Sequence, residues 1–135
     1  MVDSWFASRE EEVAGWLRHL HAHPELSFQE VATAAFVAAR LQAFGIETHT
    51  GIGGTGVVGV LRGEGGAGRS IGLRAELDAL PIIEKSAINY RSQNEGVFHG
   101  CGHDGHAVTL LTAAAYLAQH RGFSGKAVFV FQPAE

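Results

Sequence analysis

The segment HGCGHDGH, residues 99–106, concentrates side chains that bind transition metals. It contains three histidines, one aspartate and the only cysteine of the chain, separated by three glycines. Because a single residue, Gly102, separates Cys101 from His103, both side chains point to the same side of a locally extended backbone and can reach one ion. A thiolate and an imidazole suit zinc, manganese, cobalt or nickel better than calcium or magnesium. The segment therefore indicates a site for a divalent transition metal.

The same residues also have an ordinary structural interpretation. A lone buried cysteine commonly packs as a small apolar side chain, and a lone histidine is more often a satisfied polar residue than a ligand. The second ligand pair of a zinc finger is absent, and two ligands do not hold a structural ion. A metal centre at this segment therefore requires further ligands from elsewhere.

Other histidines and carboxylates are weaker candidates. His19 and His23 are four residues apart, but no glutamate follows the first histidine as it does in HExxH. Pro24 also ends the helix there, so capping or packing is the favoured role. Glu76 and Asp78 lie at the end of a predicted strand, where they are either solvated charges or groups that orient a ligand histidine.

Two further motifs concern the loops. Glu135 follows a predicted buried strand and a proline turn. It is either a carboxylate presented by a rigid scaffold or part of a frayed terminus, and the residues alone favour neither. The glycine-rich stretch 51–56 precedes a strand and does not open a helix, so it predicts a turn and not a phosphate loop.

Hydrophobic periodicity predicts three helices and four strands in the order ααβββαβ. The capping box at 27–30, with Ser27 at the N-cap, opens the second helix, and Gly45 ends it. The other helices are predicted at 4–22 and 104–120, and the strands at 46–51, 56–61, 70–77 and 126–131. This order predicts one domain, residues 1–135, of the α/β class, with a sheet covered by helices on both faces. In such sheets, sites gather beyond the carboxyl ends of strands.

Composition excludes several classes of protein. The 46% hydrophobic and 18% charged content is that of a globular chain, and the net charge of −4 without a basic cluster argues against nucleic acid as a partner. No apolar run approaches the ~20 residues that cross a bilayer, and the acidic start does not look like a secretory signal. A single cysteine excludes an internal disulfide and suits a reducing compartment. We therefore expect a cytoplasmic location and no membrane partner.

Five motifs together resemble a known family. In order along the chain they are LHAHPELSFQE, GTGVVGVLRG, LRAELDALPI, FHGCGHDGHAVTLLTAAAYL and GKAVFVFQPAE. They are similar to the N-terminal part of the amidohydrolase branch of the aminoacylase/carboxypeptidase-like dinuclear metallopeptidases. That branch contains hippurate hydrolases, N-acyl-amino-acid amidohydrolases and indole-acetyl-amino-acid hydrolases. The resemblance spans nearly the whole chain, and its CGHDGH and QPAE motifs are specific.

The resemblance implies hydrolysis of the amide bond of an N-acyl amino acid by a water that two divalent ions activate. It makes Cys101 and His103 metal ligands and gives Asp78 the task of orienting a ligand. Glu135 matches the first glutamate of the family's PAEE pair and is the expected general base. His106 receives only a supporting role. Zinc or manganese is the expected ion, with cobalt and nickel as alternatives.

Family members are longer than this chain and carry an inserted lid domain that is absent here. The second glutamate of PAEE would follow Glu135, and the later ligand histidines are also missing from the 135 residues. We therefore expect a metal-dependent amidohydrolase that is inactive as this piece. The alternative is a non-catalytic fragment that at most binds a divalent metal weakly. Uncovered sheet or helix faces predict self-association.

Overall fold

Four helices and four strands form the structure, a computed structural model that describes residues 2–135. The helices are α1 (Val2–Ala7), α2 (Glu10–Ala22), α3 (Val31–Ala43) and α4 (His103–Gln119). The strands are β1 (Glu47–Ile52), β2 (Gly56–Arg62), β3 (Ser70–Glu76) and β4 (Lys126–Gln132). The predicted α/β class is confirmed, and each predicted strand agrees with an observed one to within one residue at either end. None of the helices among residues 2–135 combines the length and apolar character needed to cross a membrane.

The four strands form one mixed sheet in the order β1-β2-β4-β3. β1 pairs with β2 and β2 with β4 in antiparallel fashion, whereas β3 runs parallel to β4. The turn predicted at the glycine-rich stretch joins β1 to β2. β3 was expected to be a buried strand, but only Ala75 and Glu76 at its end are buried, because it lies at the edge of the described sheet.

The helices pack against one face of the sheet. Alternate side chains of β2 and β4 form a continuous core with α2, α3 and α4, among them Val57, Leu61, Phe129 and Phe131. The intervening side chains point to the other face, where Val58 lies opposite Val130 and Val60 opposite Val128. These four valines, the valine face, are only half-buried. The prediction placed helices on both faces of the sheet, whereas the helices within residues 2–135 cover one face.

The first predicted helix is interrupted. Residues 8 and 9 separate α1 from α2, because the Ser8 hydroxyl donates a hydrogen bond of 2.7 Å to the Trp5 carbonyl and competes with the helical pattern. The predicted apolar stripe is nevertheless present on α2, where Trp16 and Leu20 are buried.

The capping box predicted for α3 does not form. The helix begins at Val31, and the Ser27 hydroxyl donates instead to Oδ2 of Asp78 at 2.9 Å. Glu25 takes over the capping task, since its carboxylate accepts the backbone amides of Ala32 and Thr33. Two residues of the predicted motif, Ser27 and Glu30, thereby connect the start of α3 to other parts of the fold.

The candidate site residues lie at the carboxyl ends of β3 and β4. The loop 77–102 leaves β3 at this end, α4 begins there, and Pro133, Ala134 and Glu135 follow β4 there. Gly102 precedes α4 with a φ of +83°, a left-handed conformation that glycine adopts without strain. The glycine lets the chain turn sharply into the helix, so that His103 is its first residue.

Candidate metal centre

His103 is held in a fixed orientation by Asp78. Its Nδ1 lies 2.9 Å from the Asp78 carbonyl oxygen and 3.0 Å from Oδ1 of the same residue, and both side chains are buried. Because both partners are acceptors, Nδ1 carries the proton. Nε2 points away from this histidine–carboxylate pair, which we call a couple. A carboxylate on one ring nitrogen of a histidine is the usual support of a metal-ligating imidazole.

A second couple of the same kind lies one helical turn away. His106 Nδ1 lies 2.8 Å from Oε2 of Glu76, and the two histidine rings are 5.7 Å apart between centroids. The two carboxylates are two residues apart along the chain and the two histidines three residues apart on α4, so that the couples run side by side. Arg74 contacts the other oxygen of Glu76 at 3.1 Å.

The protein environment keeps both carboxylates ionised. Burial acts to raise the pKa of Glu76, but the hydrogen bond from His106 and nearby positive charge outweigh it, so the pKa lies below its ordinary value. Burial likewise opposes ionisation of Asp78, and hydrogen bonds from Ser27 and the Glu135 amide bring its pKa below the usual range. Each histidine therefore faces a negatively charged partner at neutral pH.

Glu135 lies directly against the first couple. Its Oε2 is 2.9 Å from His103 Nε2, and its backbone amide donates to Asp78 Oδ2 at 3.2 Å. Asp78 thus contacts both the histidine and the residue predicted to be the general base. The turn before Glu135 is anchored by Glu30, a fully buried residue whose carboxylate accepts the Ala134 amide at 2.9 Å.

These atoms fit the chemistry of a divalent cation. Ligand atoms of Glu76, His103 and His106 all lie within 4.8 Å of one another, which one ion can span. In addition, Nδ1 of His103 already donates to Asp78, so its Nε2 and the Glu135 carboxylate face each other as two acceptors unless a proton or a cation joins them. Cys101 is exposed, and its sulfur is not part of that group of three.

A buried ion-pair network lies beside the centre. His21 of α2 contacts Asp104 through Nδ1 and Glu84 through Nε2. Burial opposes ionisation of Glu84, but hydrogen bonds from Ser86, the Ser92 amide and His21 lower its pKa to about 2. Burial also pulls the pKa of His21 down, yet its two carboxylate partners outweigh that effect and raise it. The network is therefore charged.

Known hydrolases and peptidases are similar to this chain in sequence and in fold. The family model "Peptidase family M20/M25/M40" matches residues 72–135. Over 120 residues the chain is 51% identical to the hippurate hydrolase of Campylobacter jejuni, covering 88% of this chain and 31% of that protein. It is 47% identical to the N-acyl-L-amino acid amidohydrolase of Geobacillus stearothermophilus, covering 92% and 34%. The YXEP protein of Bacillus subtilis, described as a dinuclear metal binding peptidase, superimposes with a TM-score of 0.91 at 37% identity, covering 96% and 36%.

The chain belongs to the peptidase M20 family. It matches the amidohydrolase branch and spans about a third of the length of the curated relatives. Residues 72–135, which the family model matches, include every residue predicted for the site: Asp78, Cys101, His103 and Glu135. The structure brings three of these into contact through Asp78, while Cys101 stands apart on the surface.

Sequence reasoning missed three residues of this M20 site region. His21 lies between His19 and His23, whose spacing resembles a ligand pair but which contact each other and not the centre. Glu30 resembles half of a local capping box. His99 has no role predicted by the motif that contains it, yet both of its ring nitrogens are buried and have no hydrogen-bond partner among the described residues. Such a group lowers stability unless a partner satisfies it.

Proposed function

We propose that this chain is part of a metal-dependent amidohydrolase that cleaves the amide bond of N-acyl amino acids or similar conjugates. One observation carries the proposal: His103 is oriented by Asp78 so that its Nε2 meets the carboxylate of Glu135. A ligand-type nitrogen and a base-type carboxylate then lie together at the carboxyl ends of two strands. The names of the relatives, hippurate hydrolase and N-acyl-L-amino acid amidohydrolase, support the substrate class.

His103 and Cys101 are the proposed metal ligands, and Glu76 with His106 forms the additional group that can approach the same ion. A bound divalent ion, zinc or manganese in this proposal, supplies a Lewis acid for the substrate carbonyl and for the attacking water. Cys101 joins this set on the strength of its spacing and of the family motif. Its exposed position leaves the sulfur accessible to an ion.

The residues of the chain itself have three tasks in this reaction. Asp78 holds the His103 ring in one tautomer through Nδ1, which leaves Nε2 free to bind. Glu135 takes a proton from the attacking water and delivers it to the leaving amide nitrogen. Through the Glu135 amide, Asp78 also fixes the distance between base and ligand, since both hydrogen bonds end on one carboxylate.

A second candidate function is metal binding without turnover. The group Glu76, His103 and His106 lies entirely within the described residues, whereas the chain spans about a third of its curated relatives. We therefore propose that the 135-residue chain binds a divalent ion weakly and has little or no hydrolase activity. Site assembly and metal affinity are coupled, so an incomplete ligand set binds loosely.

Calorimetric titration of zinc or manganese into the chain separates these possibilities. Replacement of Cys101 by Ser is expected to weaken binding more than replacement of His19 by Ala, because the His19 ring contacts Phe36 and His23 and does not reach the centre. Equal effects of the two substitutions would remove Cys101 from the proposed ligand set. Turnover of a panel of N-acyl amino acids, abolished by Glu135→Gln, would contradict the proposal that the piece is inactive.

The remaining proposals concern surroundings and assembly. We propose a cytoplasmic location and a small-molecule substrate as the partner. We also propose that copies of the chain associate through the valine face, since contiguous half-buried valines at a sheet surface favour contact with another apolar surface. Gel filtration at high concentration tests this, and a clean monomer would contradict it.

A further inference from the structure

His21 joins the two segments that carry the candidate metal centre. Its Nδ1 lies 2.7 Å from Oδ2 of Asp104, and its Nε2 lies 3.0 Å from Oε1 of Glu84. Asp104 directly follows His103 in α4, and Glu84 belongs to the loop that begins just before Asp78. A single ring from α2 therefore connects the start of α4 to the loop that leaves β3.

This connection is stiff. Ionised carboxylates only accept hydrogen bonds, so His21 donates from both nitrogens and is a cation held between two anions. The side chains of Glu84 and Asp104 are only 3% and 6% exposed. Removal of the His21 cation would therefore leave two buried carboxylates without their positively charged partner. The Ser86 hydroxyl and the Ser92 backbone amide donate to Glu84 in turn, which fixes the far end of the bridge.

The start of α4 depends on this bridge. Its N-cap is Gly102, which has no side chain to accept the free amides of the first turn. Asp104 performs part of that task from inside the helix, because its Oδ1 accepts the Gly105 amide at 2.9 Å while its Oδ2 contacts His21. The orientation of the helix start, and hence of His103, is therefore set through Asp104.

We propose that His21 is a positioning residue for the metal centre: through Asp104 and Glu84 it holds Cys101 and His103 in register with Asp78. The inference rests on the proposed function, because it requires that the centre binds a divalent ion. His21 itself reaches the centre only through its partners, so it is not a catalytic residue.

A cobalt titration tests the proposal, with Co²⁺ as the probe and the 135-residue chain as the protein. His21→Gln is expected to weaken Co²⁺ binding about tenfold or more, the effect typical of losing a group that supports ligands. It is also expected to reduce the thiolate-to-cobalt charge-transfer absorption that reports the contact with Cys101. The titration is run at a temperature where circular dichroism shows the variant folded, since a purely structural role would leave both readouts unchanged there.

His49→Gln is the matched control. His49 also contacts a glutamate, Glu47, at 2.9 Å, but both side chains are about half exposed and lie on β1. Its Co²⁺ affinity is expected to remain within about twofold of the unsubstituted chain, because a surface ion pair contributes little. A folded His21→Gln variant that binds Co²⁺ as tightly as His49→Gln would overturn the proposal.

Hydrogen exchange in the ion-free chain separates failure of this inference from failure of the proposed function. The amides of residues 102–106 are expected to exchange faster in Glu84→Gln, which retains the size of the side chain but removes one anion from the bridge. Absence of Co²⁺ binding by the unsubstituted chain would contradict the metal binding proposed for this chain, and the exchange rates would still decide whether the bridge orders α4. Unchanged rates in both Glu84→Gln and His21→Gln would overturn the positioning role.

Discussion

The two ends of the same sheet are built by different means. At the amino ends of β3 and β4, the loops 63–69 and 120–125 are joined by backbone hydrogen bonds, such as Gly63 to Gly125 and Gly125 to Gly66, each 2.9 Å long. At the carboxyl ends, buried charged side chains make the connections, with Asp78 contacting His103 and the Glu135 amide. Backbone hydrogen bonds thus connect the loops at the amino ends, whereas charged side chains connect the segments at the carboxyl ends.

This difference separates stability from chemistry. Backbone contacts between glycine-rich loops contribute to the fold but present no group that binds an ion. The carboxylate–imidazole couples present such groups, and each couple places charge in a region where an unpaired partner is unfavourable. We therefore expect substitutions at the amino end to change the free energy of unfolding alone. Substitutions at the carboxyl end are expected to change ion affinity first.

The largest effect is expected for Gly125→Ala. Gly125 has a φ of +82°, and an added Cβ would collide with the Arg69 carbonyl. We expect the free energy of unfolding to fall by about 3 kcal/mol, measured by urea denaturation, with unchanged ion affinity where the variant is folded. Gly122→Ala is the control, since its Cβ would meet no atom within 4 Å. A comparable loss in the control would mean that the effect is not steric.

The next effect is expected for Asp78→Asn. The side-chain amide has one acceptor oxygen, so it cannot keep the His103 contact together with those from Ser27 and the Glu135 amide, and the ring no longer faces a negative charge. Ion affinity is expected to fall about 10–100-fold by calorimetry. Asp3→Asn, on the exposed first helix, is the control. If Asp78→Asn left the ion affinity unchanged, the carboxyl end of the sheet would not differ from the amino end in its effect on ion binding.

The smallest effect is expected for Glu84→Gln, as a change in how steeply the free energy of unfolding varies with pH. Glu84 has a pKa of about 2 in the folded chain, below its ordinary value of 4.5, so its contribution to stability is present above pH 4.5 and is lost as the pH falls towards 2. Glu84→Gln should flatten the stability curve in this window by at most about 1.4 kcal/mol per pH unit, the limit for one proton. Unfolding by urea at several pH values measures the slope, with Glu12→Gln on the surface of α2 as the control.

Local patterns predicted most of the elements and part of the centre. The strands, α4 and the end of α3 at Gly45 follow from periodicity and glycine, which are properties of nearby residues. The residues leave the role of Asp78 open, and the family motif makes it a group that orients a ligand; the structure places it 3.0 Å from His103. The orienting, ligand and base roles all remain predictions.

The missed features depend on contacts between distant segments. His21 lies between two histidines of similar spacing, and only the packing of α2 against α4 turns it towards Asp104, 83 positions away. Glu30 looks like a local capping residue until the chain returns with Ala134, 104 positions later. Periodicity also cannot reveal that the helices gather on one face of the sheet, because a half-covered strand and a fully covered one differ little in apolar content.

The strand order has a consequence for synthesis of the protein. Among the described residues, β4 is the fourth strand in chain order yet lies in the interior of the sheet, and β3 pairs with β4 alone. Until the residues of β4 have left the ribosome, β3 has no neighbour and the exposed edge of β2 awaits its partner. The nascent chain therefore carries β3 unpaired while the residues between it and β4 are translated, a state in which chaperones commonly intervene.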